Sequence, residues 1–295
     1  MIRAVLLGLL LFANVNFWAI AILLGGVIKL VTTGAARRRV ILVLSGMAEQ
    51  WVAINNRLFD LFLDTRWEAA ELPSIDRSGR FLIISNHVSW IDILAVLHTF
   101  HGRTAFIRFF LKRDLLWWPF LGQACQALEF PFMRRYSREY LERHPEKRGR
   151  DLETTMRACR RYRDIPVAIL NYAEGTRFTE QKRVEQESPY RHLLRPRVGG
   201  IAFVLASLGE ELDAVFDVTI VYPRKNVTFL AFLRNRIEWI RVEARTLEVP
   251  PEFLTPTITE PGAARDAFKG WVEALWQEKD EHIEATMRQH ERKAL

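Results

Sequence analysis

The chain has 295 residues, enough to bury one substantial core, and we expect one soluble domain on an N-terminal membrane anchor. Its net charge of +7 favours an anionic partner; since no fingerprint of a nucleic-acid-binding module occurs, we prefer a membrane surface or an anionic substrate to nucleic acid. Cys125 and Cys159 have no metal-ligand spacing around them, which argues against a disulfide framework or a zinc site and favours a reducing, cytoplasmic setting.

Residues 4–31 are almost wholly apolar and are interrupted only by Asn14, Asn16 and Lys29. As a helix they would reach about 42 Å, which exceeds the hydrocarbon core of about 30 Å. A cleaved signal peptide fits less well, because the run is long and no clear small-residue cleavage site precedes the arginines at residues 37–39. By the positive-inside rule these arginines, and the domain after them, should be cytoplasmic.

Residues 40–63 carry apolar side chains at helical spacing among polar ones. This pattern predicts a second helix, which lies along the membrane interface or packs back on the first helix; a helix of the soluble core is the alternative. Residues 64–80 contain Pro73 and Gly79, so they predict a linker with at most a short strand near Trp67.

The apolar run at residues 81–85 predicts a buried strand, and it leads into the sequence N-H-V-S-W-I-D. His87 would then lie at a strand end, where α/β proteins place reactive groups. Asp92, near the start of a helix over residues 90–100, can hold Nδ1 of His87 and leave Nε2 free as a general base. Taken alone, such a pair is more often only a capped turn.

A second apolar run, residues 166–173, predicts another strand, which delivers Glu174, Gly175, Thr176 and Arg177. Gly175 permits a tight turn, and Arg177 offers a planar fork that suits a phosphate monoester. Glu174 could orient that arginine or a substrate hydroxyl. The alternative is an ordinary charged turn after a strand.

Taken together, N-H-x-S-W-x-D, the basic and aromatic block after it and E-G-T-R resemble the PlsC-type 1-acyl-sn-glycerol-3-phosphate acyltransferases, a lysophospholipid acyltransferase family. The likeness covers residues 81–223 and the N-terminal membrane segment. It implies an α/β fold with a mixed β-sheet flanked by helices. It also implies a pair of membrane-anchoring helices over residues 1–63 and an acyltransferase domain over residues 64–295.

Residues 106–127 are rich in aromatic and basic side chains, which predicts a lipid-facing rim rather than core. Lys112 and the turn at residues 119–122 resemble the family's K-x-x-L and P-x-x-G segment. The sequence F-P-F-M-R-R that follows is similar to the family's F-I-D-R, which implies that Arg135 contacts the phosphate of the acceptor. Arg134 stands where the family usually has Asp.

The remaining segments are assigned mainly by pattern. Residues 136–163 are dense in charge and are predicted to be a helix with a solvated face. Residues 194–200 resemble the family's L-x-P-R-x-x-G turn before a helix. Residues 215–223 alternate like a strand and match the last family block, where Asp217 replaces a proline common in bacterial members. The form D-V-T-I-x-Y-P, together with N-H-x-S-W-x-D, resembles more closely the branch of the family that contains the eukaryotic lysophospholipid and lysocardiolipin acyltransferases.

Two C-terminal segments complete the predicted fold. Residues 236–245 alternate apolar and charged side chains, which predicts an edge strand. Residues 261–295 place apolar side chains on one helical face and predict a packing helix: Phe268, Trp271, Val272, Leu275, Trp276, Ile283 and Met287.

The resemblance implies a membrane-bound enzyme that transfers an acyl group from acyl-CoA or acyl carrier protein to a lysophospholipid. Lysophosphatidic acid is the first choice of acceptor, and lysophosphatidylglycerol or lysocardiolipin are alternatives. His87 and Asp92 would be catalytic; the substrate-binding residues would be Lys112, Arg135, Glu174, Gly175, Thr176 and Arg177. Ser89 lacks a second base and a G-x-S-x-G elbow, so direct transfer is preferred to an acyl-enzyme.

We expect no metal ion and no cofactor besides the acyl donor, and membrane lipids as partners. The expected location is the bacterial inner membrane, with the catalytic domain on the cytoplasmic side. The alternative from another class is a non-catalytic lipid-binding or scaffolding protein. It would explain the anchor and the basic surface, but not the joint presence of His87, Asp92, Glu174 and Arg177.

Overall fold

The structure, a computed structural model, describes residues 1–69, 75–133, 161–224 and 227–294, together with residue 143. The strands within this part are β1 (Arg66–Ala69), β2 (Arg80–Ser85), β3 (Ile107–Phe109), β4 (Leu111–Lys112), β5 (Phe132–Met133), β6 (Val167–Tyr172), β7 (Ala214–Val221) and β8 (Trp239–Leu247). The helices are α1 (Ile2–Val31), α2 (Gly34–Phe62), α3 (Ile91–Phe100), α4 (Leu121–Ala127), α5 (Glu180–Glu185), α6 (Gly199–Leu208), α7 (Phe229–Leu233) and α8 (Ala263–Ala294). Most of the helix predicted at residues 136–163 lies outside the described residues.

Six strands form one mixed sheet in the order β1-β8-β7-β2-β6-β3, in which only β7 and β8 run antiparallel. The central strand β2 is apolar and buried on both faces, as expected for a strand that is covered on both sides. Ser85 at the end of β2 pairs with Tyr172 at the end of β6. The segments that follow these two strands therefore begin at the same edge of the sheet. The predicted mixed sheet flanked by helices is confirmed.

The prediction of an edge strand at residues 236–245 is wrong. β8 pairs with β7 on one side and with β1 on the other, and β1 takes the edge position. β1 pairs with β8 only from Trp239 to Val242, so among the described residues the second half of β8 has a strand partner on one side alone. The charged residues Glu243 and Arg245 lie in that half, which accounts for the edge-like sequence pattern.

α1 and α2 pack against each other as an antiparallel hairpin. Asn14, which interrupts the apolar run, is buried inside the hairpin; its amide donates to Oδ1 of Asn55 at 2.9 Å and to the carbonyl of Trp51 at 3.1 Å. By length and composition, α1 is the one described helix that could cross a membrane. Most of its large apolar side chains are exposed: Ile2, Val5, Leu6, Leu9, Phe12, Phe17, Ile20, Leu24, Val27, Ile28, Leu30 and Val31.

The hairpin is fixed to the sheet domain near both ends of α1. Gly8 lies against Leu233 of α7, and a Cβ at Gly26 would come within 2.7 Å of the Cβ of Ala127 in α4. The ammonium group of Lys29 donates to the carbonyl of Ala127 at 2.7 Å and to Oε1 of Glu129 at 2.9 Å. α1 therefore lies along the domain rather than projecting away from it.

The segment predicted as a lipid-facing rim, residues 106–127, divides into two parts. Its beginning is core: Arg108 is almost fully buried and donates to the carbonyl of Leu128 at 2.7 Å and to Oγ of Ser45 at 2.9 Å. The rim prediction is wrong for this part, because backbone and hydroxyl oxygens satisfy the buried guanidinium. The second part is an exposed apolar turn that consists of Trp117, Trp118, Pro119, Phe120 and Leu121.

The C-terminal helix α8 covers one face of the sheet with Phe268, Val272, Trp276 and Ile283, as predicted. Among these apolar side chains it also buries Lys279, whose Nζ lies 2.5 Å from Oδ1 of Asp217 in β7. Arg245 contacts the other oxygen of Asp217 at 3.0 Å. The departure from the family's proline at Asp217 thus supplies the counter-charge for a buried lysine.

Candidate active site

The turn between β2 and α3 brings His87 and Asp92 together, as the spacing predicts. Oδ2 of Asp92 lies 2.8 Å from Nδ1 of His87 and accepts from the backbone N–H groups of Val88 at 2.6 Å and Ser89 at 2.8 Å. The carboxylate lies in the first turn of α3 and satisfies backbone donors of the turn that leads into this helix. A carboxylate on Nδ1 favours the tautomer in which Nε2 carries the lone pair. Among the described residues, no hydrogen-bond partner occupies Nε2.

Two tyrosines complete the surroundings of this pair. The hydroxyl of Tyr222 donates to Oδ1 of Asp92 at 2.6 Å, and the ring of Tyr172 stacks on the imidazole of His87 with centroids 4.0 Å apart. Burial, and then the nearby Asp92 carboxylate, raise the pKa of Tyr222 well above its ordinary value, so its hydroxyl stays protonated. Sequence reasoning missed both residues, although Tyr222 belongs to the quoted D-V-T-I-x-Y-P block.

Asn86 fixes this turn to the neighbouring strand β7. Its amide donates to the carbonyl of Ile220 at 2.9 Å, and its Oδ1 accepts from the N–H of Ile220 at 2.8 Å. The side chain thereby replaces a pair of backbone ladder bonds beyond the end of β2. The asparagine of N-H-x-S-W-x-D therefore holds His87 at a fixed distance from β7.

Glu174 has a different contact from the one proposed for it. It is buried, and its two oxygens accept from the backbone N–H groups of His87 at 2.8 Å and Leu194 at 3.0 Å. Among the described residues no hydrogen bond or ion pair joins it to Arg177, whose guanidinium lies over Trp90 instead. Burial raises the pKa of Glu174 to about 8, although the two N–H bonds favour the ionised form. Its carboxyl group connects the turn that carries His87 to the loop that carries Leu194.

The rest of the 174–177 turn is exposed enough to reach a ligand. Gly175 has a φ of +68°, and a Cβ there would lie 3.0 Å from Cδ of Arg197. The backbone conformation therefore favours glycine, and its lack of a side chain lets Arg197 come close. Oγ1 of Thr176 accepts from Nζ of Lys182 at 2.8 Å. Thr176 is thus engaged by a neighbouring cation.

The guanidinium of Arg177 lies over the indole of Trp90, 4.5 Å from the ring centroid. Trp90 comes directly before α3, so this contact places Arg177 beside the turn that carries His87. Arg197, from the L-x-P-R-x-x-G turn, approaches the same glycine turn and was not singled out by sequence reasoning. Within the described part of the chain, no carboxylate pairs with Arg177 or Arg197.

Of the other two predicted substrate-binding residues, Lys112 is not brought into this cluster, and Arg135 is not among the described residues. Lys112 lies in β4, where it pairs with Met133 of β5, and it is exposed. In the described ranges, its side chain makes no hydrogen bond with the 87–92 turn or the 174–177 turn. Arg135, and Arg134 before it, lie outside the described residues, so their predicted positions stay predictions.

An α/β domain with a histidine at a strand end, held by a buried carboxylate, suits a protein that activates a hydroxyl group by removing its proton. The acyltransferase family model matches residues 68–223, and the chain belongs to that family. The predicted family and enzyme class are thereby confirmed.

The chain is also similar in sequence to two named acyltransferases. The chain is 28% identical over 225 residues to 1-acyl-sn-glycerol-3-phosphate acyltransferase gamma of Mus musculus, covering 70% of this chain and 54% of that protein. It is 28% identical over 221 residues to lysocardiolipin acyltransferase 1 of Danio rerio, covering 70% of this chain and 52% of the relative. The chain spans about half the length of these two relatives.

The fold is similar to that of the 1-acyl-sn-glycerophosphate acyltransferase PlsC from Thermotoga maritima. The TM-score is 0.57, at 14% sequence identity, over 96% of this chain and 98% of the other. At this identity the likeness shows a common fold. It extends beyond the family-matched segment to the N-terminal hairpin and α8.

The raised pKa of Glu174 predicts a pH-dependent contribution to stability. Its folded pKa of about 8 lies above the ordinary 4.5, so folding takes up a proton between these values. The free energy of unfolding should therefore lose about 1.4 kcal/mol per pH unit from this group as pH rises towards 8. Relative to Glu174→Gln, the wild type should be most stabilised near pH 5 and least near pH 8.

Denaturant unfolding at pH 5, 6.5 and 8 in one detergent measures this difference. The matched control is Glu185→Gln, which removes an exposed glutamate from α5 and should leave a constant difference from wild type. A difference between wild type and Glu174→Gln that does not change with pH would contradict the assignment.

Proposed function

We propose that this chain transfers an acyl group from a thioester to the free hydroxyl of a lysophospholipid, with lysophosphatidic acid as the first choice. The observation that carries the proposal is the free Nε2 of His87, opposite the Nδ1 that Asp92 holds at 2.8 Å. This is the arrangement that a general base needs. The side chain of His87 is 15% exposed, so a substrate can reach it.

In the proposed mechanism, Nε2 of His87 removes the proton from the acceptor hydroxyl as its oxygen attacks the thioester carbonyl. The tetrahedral intermediate then collapses, the C–S bond breaks, and the imidazolium returns its proton to the departing thiolate. Asp92 stabilises the transient imidazolium. The products are an ester and a free thiol, so the reaction balances without a metal ion or any cofactor besides the donor.

Direct transfer is supported by the position of Ser89. This serine is 3% exposed, and its Oγ accepts from the N–H of Ile91 at 3.3 Å. A hydroxyl that is buried and engaged at a helix start is poorly placed to attack a thioester. The general base therefore acts on the acceptor rather than on an enzyme nucleophile.

The phosphate of the acceptor is assigned to the exposed arginines beside His87. Arg177 lies over Trp90 and Arg197 lies against Gly175, and neither has a carboxylate partner among the residues described. Two guanidinium groups suit a phosphate monoester, which favours lysophosphatidic acid. Lysophosphatidylglycerol and lysocardiolipin also carry phosphate. Lysocardiolipin is an alternative acceptor because the Danio rerio relative is named a lysocardiolipin acyltransferase. Arg135 and Lys112 are proposed as further contacts on the basis of the resemblance.

We also propose that the enzyme is bound to the bacterial inner membrane with its sheet domain on the cytoplasmic side, where acyl-CoA and acyl carrier protein are available. The exposed apolar stripe of α1 supports membrane binding. The turn beside α4 carries further exposed apolar rings, with Trp117 84% and Trp118 58% exposed. Indole rings are typical of the depth at which lipid headgroups meet acyl chains.

His87→Ala should lower kcat for acylation of lysophosphatidic acid by about 10²- to 10⁴-fold, the usual contribution of a positioned base. Asp92→Asn should lower kcat severely but less, since an amide holds the imidazole in the wrong tautomer. Purified protein in mixed micelles, assayed with acyl-CoA and with acyl carrier protein, provides the measurement.

A matched control is His282→Ala. His282 lies on α8, pairs with Glu243 of β8 and is distant in sequence from the turn that carries His87. This variant should turn over like wild type. Near-normal turnover by the His87 variant would rule out the mechanism. Lipid binding without any turnover by wild type would instead favour the non-catalytic alternative.

Arg177→Lys should raise KM for the lysophospholipid by about 10-fold, because lysine keeps the charge but loses the planar fork. KM for the thioester should change little. Arg195→Lys is the matched control, since that guanidinium binds only the backbone carbonyls of Gln186 and Glu187 in the described chain. A rise in donor KM alone would reassign Arg177 to the phosphates of the donor.

Replacing Leu9, Phe12 and Phe17 of α1 by Ser should weaken binding to vesicles of phosphatidylcholine and phosphatidylglycerol by at least about 100-fold, since each buried apolar side chain contributes about 1.5 to 3 kcal/mol. Flotation of the purified protein measures this, with Val184→Ser on α5 as an exposed apolar control. Unchanged flotation of the triple variant would contradict binding through α1.

For orientation, a cysteine at Gln289 should react with an impermeant maleimide in inverted vesicles and not in intact cells.

A further inference from the structure

The carboxylate of Asp92 receives four hydrogen bonds, and their distribution is uneven. Three donors approach Oδ2: the imidazole of His87 and two backbone N–H groups. One donor approaches Oδ1, and it is the hydroxyl of Tyr222 at 2.6 Å. Asp92 and Tyr222 are both buried. Across the described residues, Tyr222 is therefore the only group that holds the second oxygen.

The strand β7 delivers this tyrosine to the site. β2 and β7 run parallel, with Ser85 opposite Val218, so both strands end at the edge where His87 lies. Just before β7 ends, Ile220 is bonded twice to the side chain of Asn86. Tyr222 follows two residues later. Its hydroxyl thus reaches Asp92 from a backbone that is already fixed to the His87 turn.

The geometry points to a role that acts through the carboxylate. A carboxylate whose donors all lie on one oxygen can rotate about its Cβ–Cγ bond, which turns Oδ2 out of line with Nδ1 of His87. A donor on Oδ1 opposes that rotation. We propose that Tyr222 is a positioning residue for the proposed acyl transfer, which keeps Asp92 aligned with Nδ1 of His87. The proposal rests on the proposed function, but its structural part can be tested separately.

Tyr172 provides a matched comparison within the same site. Its ring stacks on His87 at an interplanar angle of 14°, while its hydroxyl is buried without a hydrogen-bond partner among the described residues. Removing that hydroxyl leaves the stacked ring in place. Tyr222→Phe and Tyr172→Phe therefore make the same chemical change beside the same pair, and only one of them removes a bond to Asp92.

The first test compares kcat and KM for acylation of lysophosphatidic acid in mixed micelles. Tyr222→Phe should lower kcat by about 10-fold, as expected for one hydrogen bond to a charged group, and leave KM for both substrates unchanged. Tyr172→Phe, which keeps the stacked ring and removes no bond to Asp92, should lower kcat less than Tyr222→Phe does. Equal kcat values for Tyr222→Phe and wild type would overturn the proposal.

The second test is a double-mutant cycle with Asp92→Asn. If Tyr222 acts through the Asp92 carboxylate, Tyr222→Phe should have almost no further effect on kcat in the Asp92→Asn background. A merely structural tyrosine would lower kcat by the same factor in both backgrounds, and that result would overturn the proposal. Circular dichroism checks the fold of each variant. If Tyr222→Phe is unfolded while Tyr172→Phe is folded, the hydroxyl of Tyr222 serves stability, and that result would also overturn the proposal.

A readout without substrate separates this inference from the function itself. In protein labelled with ¹⁵N-histidine, the His87 resonances should report the Nδ1–H tautomer in wild type and in Tyr172→Phe, and a mixture of tautomers in Tyr222→Phe. If wild type acylated no lysophospholipid, the proposed function would fail while this comparison still decided the role of Tyr222. Identical tautomer populations in all three proteins would overturn the inference.

Discussion

Two buried carboxyl groups at one edge of the sheet determine how the site is built. Glu174 accepts from the N–H of His87, and Asp92 accepts from the N–H groups of Val88 and Ser89. The successive N–H groups of this turn are thus used as partners for buried acids. Burying a carboxylate is costly unless hydrogen bonds replace its hydration. The turn must therefore adopt the one backbone path that satisfies both groups, and that path places His87.

The charge of Asp92 also acts on Glu174. The nearby Asp92 charge adds to burial in raising the pKa of Glu174, and Lys279 on α8 opposes both effects. Asp92, by contrast, collects four donors around one carboxylate. The four donors around Asp92 suit a carboxylate next to the imidazole, whereas burial favours the neutral form of Glu174 behind it. One negative charge faces His87, which is what stabilisation of an imidazolium requires.

The parts of this site that sequence predicted are the local ones. Asp92 follows His87 closely, and the strands before both polar clusters have clear apolar runs, so their geometry follows from spacing alone. The contacts that sequence reasoning missed join residues far apart in the chain, such as Glu174 to the N–H of His87 and Tyr222 to Asp92. Lateral strand order is also not encoded locally, which is why β8 was placed at an edge. Buried charges such as Lys279 look like solvated ones until their partners are known.

The reach of these long-range contacts explains why the site depends on residues outside the family-matched segment. Oδ2 and Oδ1 of Asp280 in α8 accept from the backbone N–H groups of Arg191 at 2.8 Å and His192 at 2.7 Å. The loop held in this way continues to Leu194, whose N–H donates to Glu174. A carboxyl group on the C-terminal helix thus fixes the loop that fixes Glu174, and Glu174 fixes the backbone of His87. α8, which the sequence predicted only as a packing helix, is therefore connected by a series of hydrogen bonds to the backbone of the proposed general base.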